Sequence, residues 1–242
     1  KPTVGAWSWG ADNQSVTFRP QTYWPANSKI KVAAALKGVE IAPGIYGERD
    51  MKAGFKTGAA MVSTVDANTL TMTVRKNGKV IRKIPVTTGK SGFETRSGIK
   101  PIMGKEGTVV MDAASGGTPV GSADYYRLTV HYSMRLTSSG EFLHAAPWST
   151  GSQGRSSVSH GCVGMSTGNA IWLYDQSKVG DVVEVKNTGR KQDLGNGITE
   201  WNVKWAKWLA RSKTGEQAVG PEPAAAKPAP APALATVSVK RG

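Results

Sequence analysis

One cysteine, Cys162, stands in a chain of 242 residues. No internal disulfide can staple such a chain, so its fold must be held by buried apolar surface and backbone pairing. A lone thiol also fits poorly with a cysteine-rich zinc site. Two roles stay open for it: a buried inert thiol or a nucleophile. Its surroundings bear on the choice. The stretch from Leu143 to Ser166 reads LHAAPWSTGSQGRSSVSHGCVGMS and holds two of the three histidines, His144 and His160. An inert thiol usually sits among apolar residues, whereas Cys162 follows Ser159, His160 and Gly161.

At this length the chain holds one large domain or two small ones, with a real core in either case. Hydrophobic residues at 39% fit a soluble globular protein. The formal net charge is +14, from 31 Lys plus Arg against 17 Asp plus Glu, which favours anionic partners: nucleic acid, anionic membranes or acidic wall polymers. The basic residues are scattered through all segments, with no run interleaved with stacking aromatics, so nucleic acid is not expected. No apolar run approaches the ~20 residues of a membrane span. Lys1-Pro2-Thr3 does not look like a natural start, and the expectation is a fragment whose export signal or anchor lies upstream.

Short alternating runs dominate the chain. Ser15-Val16-Thr17-Phe18 and Lys29-Ile30-Lys31-Val32 predict half-buried strands, punctuated by Pro20, Pro25, Asn27 and Gly38. Residues 1–58 thus form a first β segment. A second begins near Ala59. Leu70 to Arg75 and Lys79 to Ile84 flank Asn77-Gly78, the strongest short-range hairpin cue. Further strands are expected at Thr108 to Met111, at Tyr125 to Ser133, and at Phe142-Leu143, which delivers His144. After the cysteine, Ser166 or Thr167 caps a helix with Ala170, Ile171, Leu173 and Tyr174 on its apolar face, ended by Gly180. Asp181 to Val185 closes this segment as a strand, at about residue 187. Over 188–214, Trp201, Trp205 and Trp208 fall at i, i+4 and i+7, predicting one short helix from near Thr199 that docks on the second segment. Residues 215–242, with Pro221, Pro223, Pro228, Pro230 and Pro232, read as an extended tail.

His144, fourteen intervening residues and then Ser-His-Gly-Cys form a pattern that resembles the signature of the YkuD-type L,D-transpeptidases. The neighbouring Gly140-Glu141-Phe142-Leu143-His144 and Ala146-Pro147-Trp148-Ser149 resemble its mycobacterial branch. The resemblance implies a mainly β protein: a partial Ig-like β-sandwich over 1–58, then a mixed β-sheet catalytic domain over 59–187 with one main helix, and a C-terminal Trp-bearing helix. It also implies an exported protein of the cell envelope that acts on peptidoglycan stem peptides, is acylated by carbapenem β-lactams and requires no metal or organic cofactor. A monomer is expected.

A free thiol has a pKa near ~8.5, so it needs a base in reach at neutral pH. The resemblance assigns Cys162 as nucleophile and His144 as base. A thiolate–imidazolium pair is the expected reactive form. His160 takes a local supporting role, Gly161 and Cys162 supply oxyanion-binding amides, and Ala145 orients the imidazole through its carbonyl. The implied substrate-binding residues are Tyr126, Ser139, Gly140, Trp148, Ser159 and Gly164, the last through its backbone only. Three positions depart from the family pattern: Ala145 stands for Ser, Gly164 for Asn, and Gly116 for a lid Tyr. The last two imply a slower reaction and leave open a wall-binding module with a degenerate site. A metal site from His131, His144, His160 and Cys162 matches no standard zinc spacing. A papain-like protease would place its Cys before its His, opposite to the order here.

Overall fold

A computed structural model describes residues 2–10, 15–220 and 236–241, the last six as backbone alone. It divides into two compact units, Lys1–Ala60 with Lys204–Gly242 and Met61–Val203. The first unit begins with strands β1 (Thr3–Trp9), β2 (Val16–Pro20), β3 (Ser28–Ala34), β4 (Glu40–Ala42), β5 (Ile45–Tyr46) and β6 (Met51–Lys56). The second contains β7 (Met61–Asp66), β8 (Thr71–Lys76), β9 (Lys79–Pro85), β10 (Gly98–Pro101), β11 (Gly104–Asp112), β12 (Arg127–Arg135), β13 (Phe142–Ala145), β14 (Val163–Met165), the helix α1 (Thr167–Gln176) and β15 (Val182–Lys186). The remaining elements, the short helix α2 (Trp205–Leu209), β16 (Gln217–Val219) and β17 (Thr236–Arg241), belong to the first unit.

The alternation seen in the sequence accounts for the first unit. Its strands form two three-stranded sheets, β16-β1-β2 and β17-β3-β6, with β4 and β5 paired as a separate hairpin. Ile30 and Val219 are buried, and Trp7, Phe18, Trp24 and Val32 pack against them. The rings of Trp7 and Phe18 meet edge-on at 5.3 Å, and those of Phe18 and Trp24 stack at 5.7 Å.

Two expectations at the C-terminal end are corrected. The segment 215–242 is not all tail, because β16 pairs with β1 and β17 pairs with β3, giving their edge strands backbone partners. Residues 221–235, with the prolines, lie outside the described residues. Nor do Trp201, Trp205 and Trp208 share one helix. A 3-10 turn at Glu200–Asn202 ends in extended Val203 before α2 begins. The Asn202 side chain is held away from a continuing helix, accepting from the Ile99 N–H at 2.7 Å and donating to the Ile99 carbonyl at 2.8 Å. Trp208 is buried in the first unit, not on the second. Its indole N–H donates to the Ala6 carbonyl at 3.0 Å, and the Arg19 guanidinium lies 4.8 Å from its ring.

The second unit is built on two sheets, β10-β15-β7-β8-β9 and β11-β12-β13-β14. β7 alternates buried and half-buried positions along its whole length. Asn77 and Gly78 turn β8 into β9 with φ of 51° and 79°, the left-handed pair that a tight hairpin requires. Met72, Val74, Ile84, Leu143, Val163, Met165, Leu173 and Val183 belong to one buried cluster. α1 packs on β12 and β13. Ser166 caps it by accepting from the Asn169 N–H, and it ends at Gln176, before Gly180, where extended Ser177 bonds back to the Leu173 carbonyl. Among the described residues no helix is long and apolar enough to cross a membrane.

Replacing Trp208 with Ala removes a buried indole and its bond to Ala6. The substitution is expected to destabilise the first unit by about 3–5 kcal/mol, read as a lower midpoint in denaturant unfolding followed by tryptophan fluorescence.

Candidate active site

β13 and β14 are parallel neighbours, with Leu143 opposite Val163 and His144 opposite Gly164. Parallel strands cannot be joined by a tight turn, so residues 146–162 make a crossover. The register sets the site. Residues opposite one another point to the same face, and side chains repeat every second residue, so His144 and Cys162 share a face. Their Cα atoms are offset by two residues along adjacent strands, a diagonal of about 8 Å. That gap suits an imidazole leaning toward a thiol.

Two threonines after β9 pin the crossover. Thr87 donates through its hydroxyl to the Ser156 carbonyl at 2.9 Å and accepts from the Val158 N–H at 3.0 Å. Thr88 and Ser157 join their hydroxyls at 2.8 Å. Ser159 closes the turn, with its hydroxyl donating to the Cys162 carbonyl at 2.6 Å and accepting from the Gly161 N–H at 3.1 Å. Gly161 sits at φ 120°, where a side chain would be strained.

His144 and Cys162 both line a cavity of about 430 Å³, together with Thr87, Met111, Tyr126, Trp148, Ser159, His160 and Gly164. Both are buried, at 5% and 8% exposure. His144 Nδ1 lies 2.8 Å from the Ala145 carbonyl oxygen. A carbonyl only accepts, so Nδ1 carries the proton in the neutral ring and Nε2 keeps its lone pair. Trp148, 57% exposed, stacks on the imidazole at 5.9 Å between centroids. The sulfur lies 3.7 Å from the Gly140 carbonyl oxygen and 4.0 Å from Met111 Sδ.

Burial governs both ionisations. It pushes the Cys162 thiol up to about 12, with Glu141 adding to the rise and the Phe142 N–H and Lys100 opposing it. It pulls His144 below its ordinary 6.5, against the bond to Ala145. Both shifts favour a neutral thiol beside a neutral imidazole. A base in this state takes the proton as the sulfur attacks.

Residues 60–185 match the family of the L,D-transpeptidase catalytic domain, YkuD, and residues 1–40 match the bacterial Ig domain. The chain belongs to the L,D-transpeptidase family. It is 38% identical to L,D-transpeptidase 2 of Mycobacterium tuberculosis over 86% of its own length and 51% of that protein. With L,D-transpeptidase 1 of the same organism it shares 40% identity, covering 76% of this chain and 67% of the relative. It thus spans about half the length of the first relative and two thirds of the second. The solved structure of LD transpeptidase LdtMt1 in complex with imipenem superposes with a TM-score of 0.65 at 40% identity, over 76% of this chain and 78% of that one.

Against the family pattern, most of the sequence-predicted residues meet at this cavity. His160 lies between the rings of Phe93, at 4.5 Å, and Tyr126, at 4.8 Å. Its Nε2 is 3.6 Å from Asp124 Oδ1, which Lys90 Nζ reaches at 2.6 Å. Burial and then Lys90 lower its pKa, while Asp124 raises it. Of the two amides expected at the oxyanion, Gly161 spends its N–H on Ser159, whereas the Cys162 N–H has no hydrogen bond among the described residues. The Ser159 hydroxyl is likewise engaged in holding the turn.

Other positions differ from expectation. Ser139 and Gly140 do not line the cavity; Ser139 is bonded to Asn196, and Gly140 reaches the sulfur only through its carbonyl. Gly116 is exposed, with nothing within 4 Å of where its Cβ would stand. Gly164 offers no backbone donor, because its N–H bonds the Thr87 carbonyl at 3.0 Å and its carbonyl accepts from the Thr87 N–H at 2.9 Å. A Cβ there would meet Ala146 Cβ at 2.9 Å and Thr87 Cγ2 at 3.0 Å. His131 bonds Thr108 and lies outside the cavity. Sequence patterns gave no sign of Met111 or Thr87 at the site, since both sit on ordinary strand-like runs.

Two outcomes follow from this geometry. The acid limb in the pH dependence of Cys162 acylation by an active ester falls about tenfold per pH unit, with its midpoint below 6.5 because burial keeps His144 neutral to lower pH. Introducing the family's amide as Gly164→Asn does not accelerate the reaction. It costs about 1–3 kcal/mol of stability through overpacking against Ala146 and Thr87, read by thermal unfolding alongside the acylation rate.

Proposed function

We propose that this chain is a peptidoglycan L,D-transpeptidase of the cell envelope, acting as a monomer without metal or organic cofactor. The observation that carries the proposal is one cavity shared by a thiol and an imidazole whose Nδ1–H is fixed on the Ala145 carbonyl. Such a pair performs acyl transfer and needs no further group. The complex of a related enzyme with imipenem supports the same assignment.

In the first half-reaction Cys162 Sγ attacks the carbonyl between the third residue of a donor tetrapeptide stem and its terminal D-Ala. The thiol proton passes to His144 Nε2. The oxyanion forms beside the free Cys162 N–H, the remaining donor at that point. Collapse breaks the C–N bond, His144 returns its proton to the departing D-Ala amine, and a thioester remains. In the second half-reaction the side-chain amine of an acceptor stem attacks the thioester and gives its proton to His144. Collapse forms the 3→3 amide and expels the sulfur, which takes the proton back. Tyr126 and Trp148 are the walls between which the stems lie, and His160 stiffens the turn that carries Cys162. Carbapenems acylate the same sulfur by opening their four-membered ring.

A defined tetrapeptide-containing muropeptide tests this. Mass spectrometry is expected to find free D-Ala and a 3→3 dimer, and incubation with a carbapenem to add one drug mass at Cys162. Cys162→Ser is expected to lose both products, and His144→Gln to slow acylation by about 10²–10⁴-fold. A wild-type protein that binds the stem peptide but releases no D-Ala and forms no adduct overturns the proposal.

A further inference from the structure

Lys100 is the largest side chain that the described core buries completely. Its Nζ donates to Glu141 Oε2 at 2.7 Å and to the Arg96 carbonyl at 2.7 Å. Glu141, 4% exposed, receives on Oε1 the Arg96 N–H at 3.1 Å and Arg96 Nη1 at 3.0 Å. Arg96 in turn pairs through Nε with Asp193 at 2.8 Å. Nothing in the acyl-transfer steps uses these charges, and a buried ion pair seldom adds net stability over apolar residues of the same shape. Their place in the fold suggests another use.

Glu141 sits between two residues that face the sulfur, Gly140 and Phe142. The carbonyl of Gly140 lies 3.7 Å from Sγ, and the Phe142 N–H holds the thiol's pKa down. The Glu141 side chain also runs beneath Gly161, with its Cγ 3.6 Å and its Oε1 3.7 Å from where a Gly161 Cβ would stand. Thr95, next to Arg96, donates to the Gly161 carbonyl at 2.8 Å. The carboxylate therefore ties the residue before β13 to the segment leading into β10, and Thr95 of that segment holds the turn carrying Cys162. Lys100 and Glu141 also act on the sulfur in opposite electrostatic senses.

We propose that Glu141 and Lys100, held by Arg96, are positioning residues for the Cys162 nucleophile: they lock Gly140 and Phe142 against the sulfur and fix the field it experiences. The proposal rests on Cys162 being the nucleophile proposed above. Lys100 is wholly buried and Glu141 nearly so, so both act through the 140–142 and 161–162 backbone rather than on substrate.

Alkylation of Cys162 by iodoacetamide as a function of pH tests it, because that reagent needs no stem peptide. Glu141→Gln leaves Lys100 unopposed and is expected to move the alkylation midpoint down by about one pH unit. Lys100→Met leaves the carboxylate unopposed and is expected to move it up by a similar amount. The double variant Lys100→Met/Glu141→Gln keeps the shape without the charges. It is expected to melt near the wild-type temperature while acylation by a carbapenem slows about tenfold or more, the cost of a misplaced reacting atom. Midpoints that shift in the same direction, or not at all, overturn the proposal. If neither single variant folds, the double variant decides: folded and slow supports it, folded with wild-type acylation overturns it, and failure to fold assigns the charges to structure alone and overturns it too. Wild-type protein that iodoacetamide alkylates but that transfers no acyl group counts against the transpeptidase function, and leaves the opposed shifts to judge the positioning pair.

Discussion

The parallel pairing of β13 with β14 is the constraint from which the rest of the site follows. A parallel neighbour demands a long crossover, and that crossover is the segment richest in hydroxyl and glycine residues, 146–162. Slipping the register by one residue would turn either His144 or Cys162 to the opposite face, and no loop adjustment could then rejoin them. The register is held by burial, since Leu143, Val163 and Met165 sit in the main core with almost no exposure. It is held also at the crossover by Thr87, which brackets Gly164 with two backbone bonds and takes two more through its hydroxyl. Core packing and site geometry are thus one arrangement.

Burial sets the chemistry. With both groups buried, charge separation between sulfur and imidazole is opposed at rest, and the polar atoms around them matter more than they would in water. The Ala145 carbonyl fixes the ring's tautomer, so the orienting is done by the main chain and needs no side-chain hydroxyl at this position. Gly140's carbonyl and Phe142's N–H face the sulfur from either side of Glu141, one suited to the thiol and the other to the thiolate. A site built this way favours a neutral thiol.

Much of this was legible in the residues. Period-two alternation located β2 and β3 in the first unit and β8, β9, β11, β12 and β15 in the second, Asn77-Gly78 marked its hairpin, and the Ser166-Thr167 pair marked the start of α1, because each depends on local chemistry alone. The His144 to Ser-His-Gly-Cys pattern pointed to the cavity that His144 and Cys162 line together. What escaped depends on contacts distant in sequence. The i, i+4, i+7 spacing of the tryptophans is a helical signal, yet Asn202 is captured by Ile99, 103 residues earlier, and the helix restarts only at Trp205. The charge trio was invisible for the same reason. Lys100 beside a proline in a short strand reads as a surface residue, and only folding brings it to Glu141, 41 residues on.

Gly164 shows how a departure from a family's pattern is to be weighed. Taken singly, a glycine in place of an asparagine is a lost side-chain amide and a weakened site. In the folded chain the space above Gly164 is already occupied by the methyl groups of Ala146 and Thr87, and its backbone is consumed by Thr87. A glycine is what allows β14 and the strand segment at Thr87 to come close enough to bond twice, and that closeness fixes the crossover carrying Cys162. A side-chain amide at this position and the close backbone bridge found here are alternatives for the same volume. Gly164 therefore belongs with its neighbours, as part of the way this cavity wall is built.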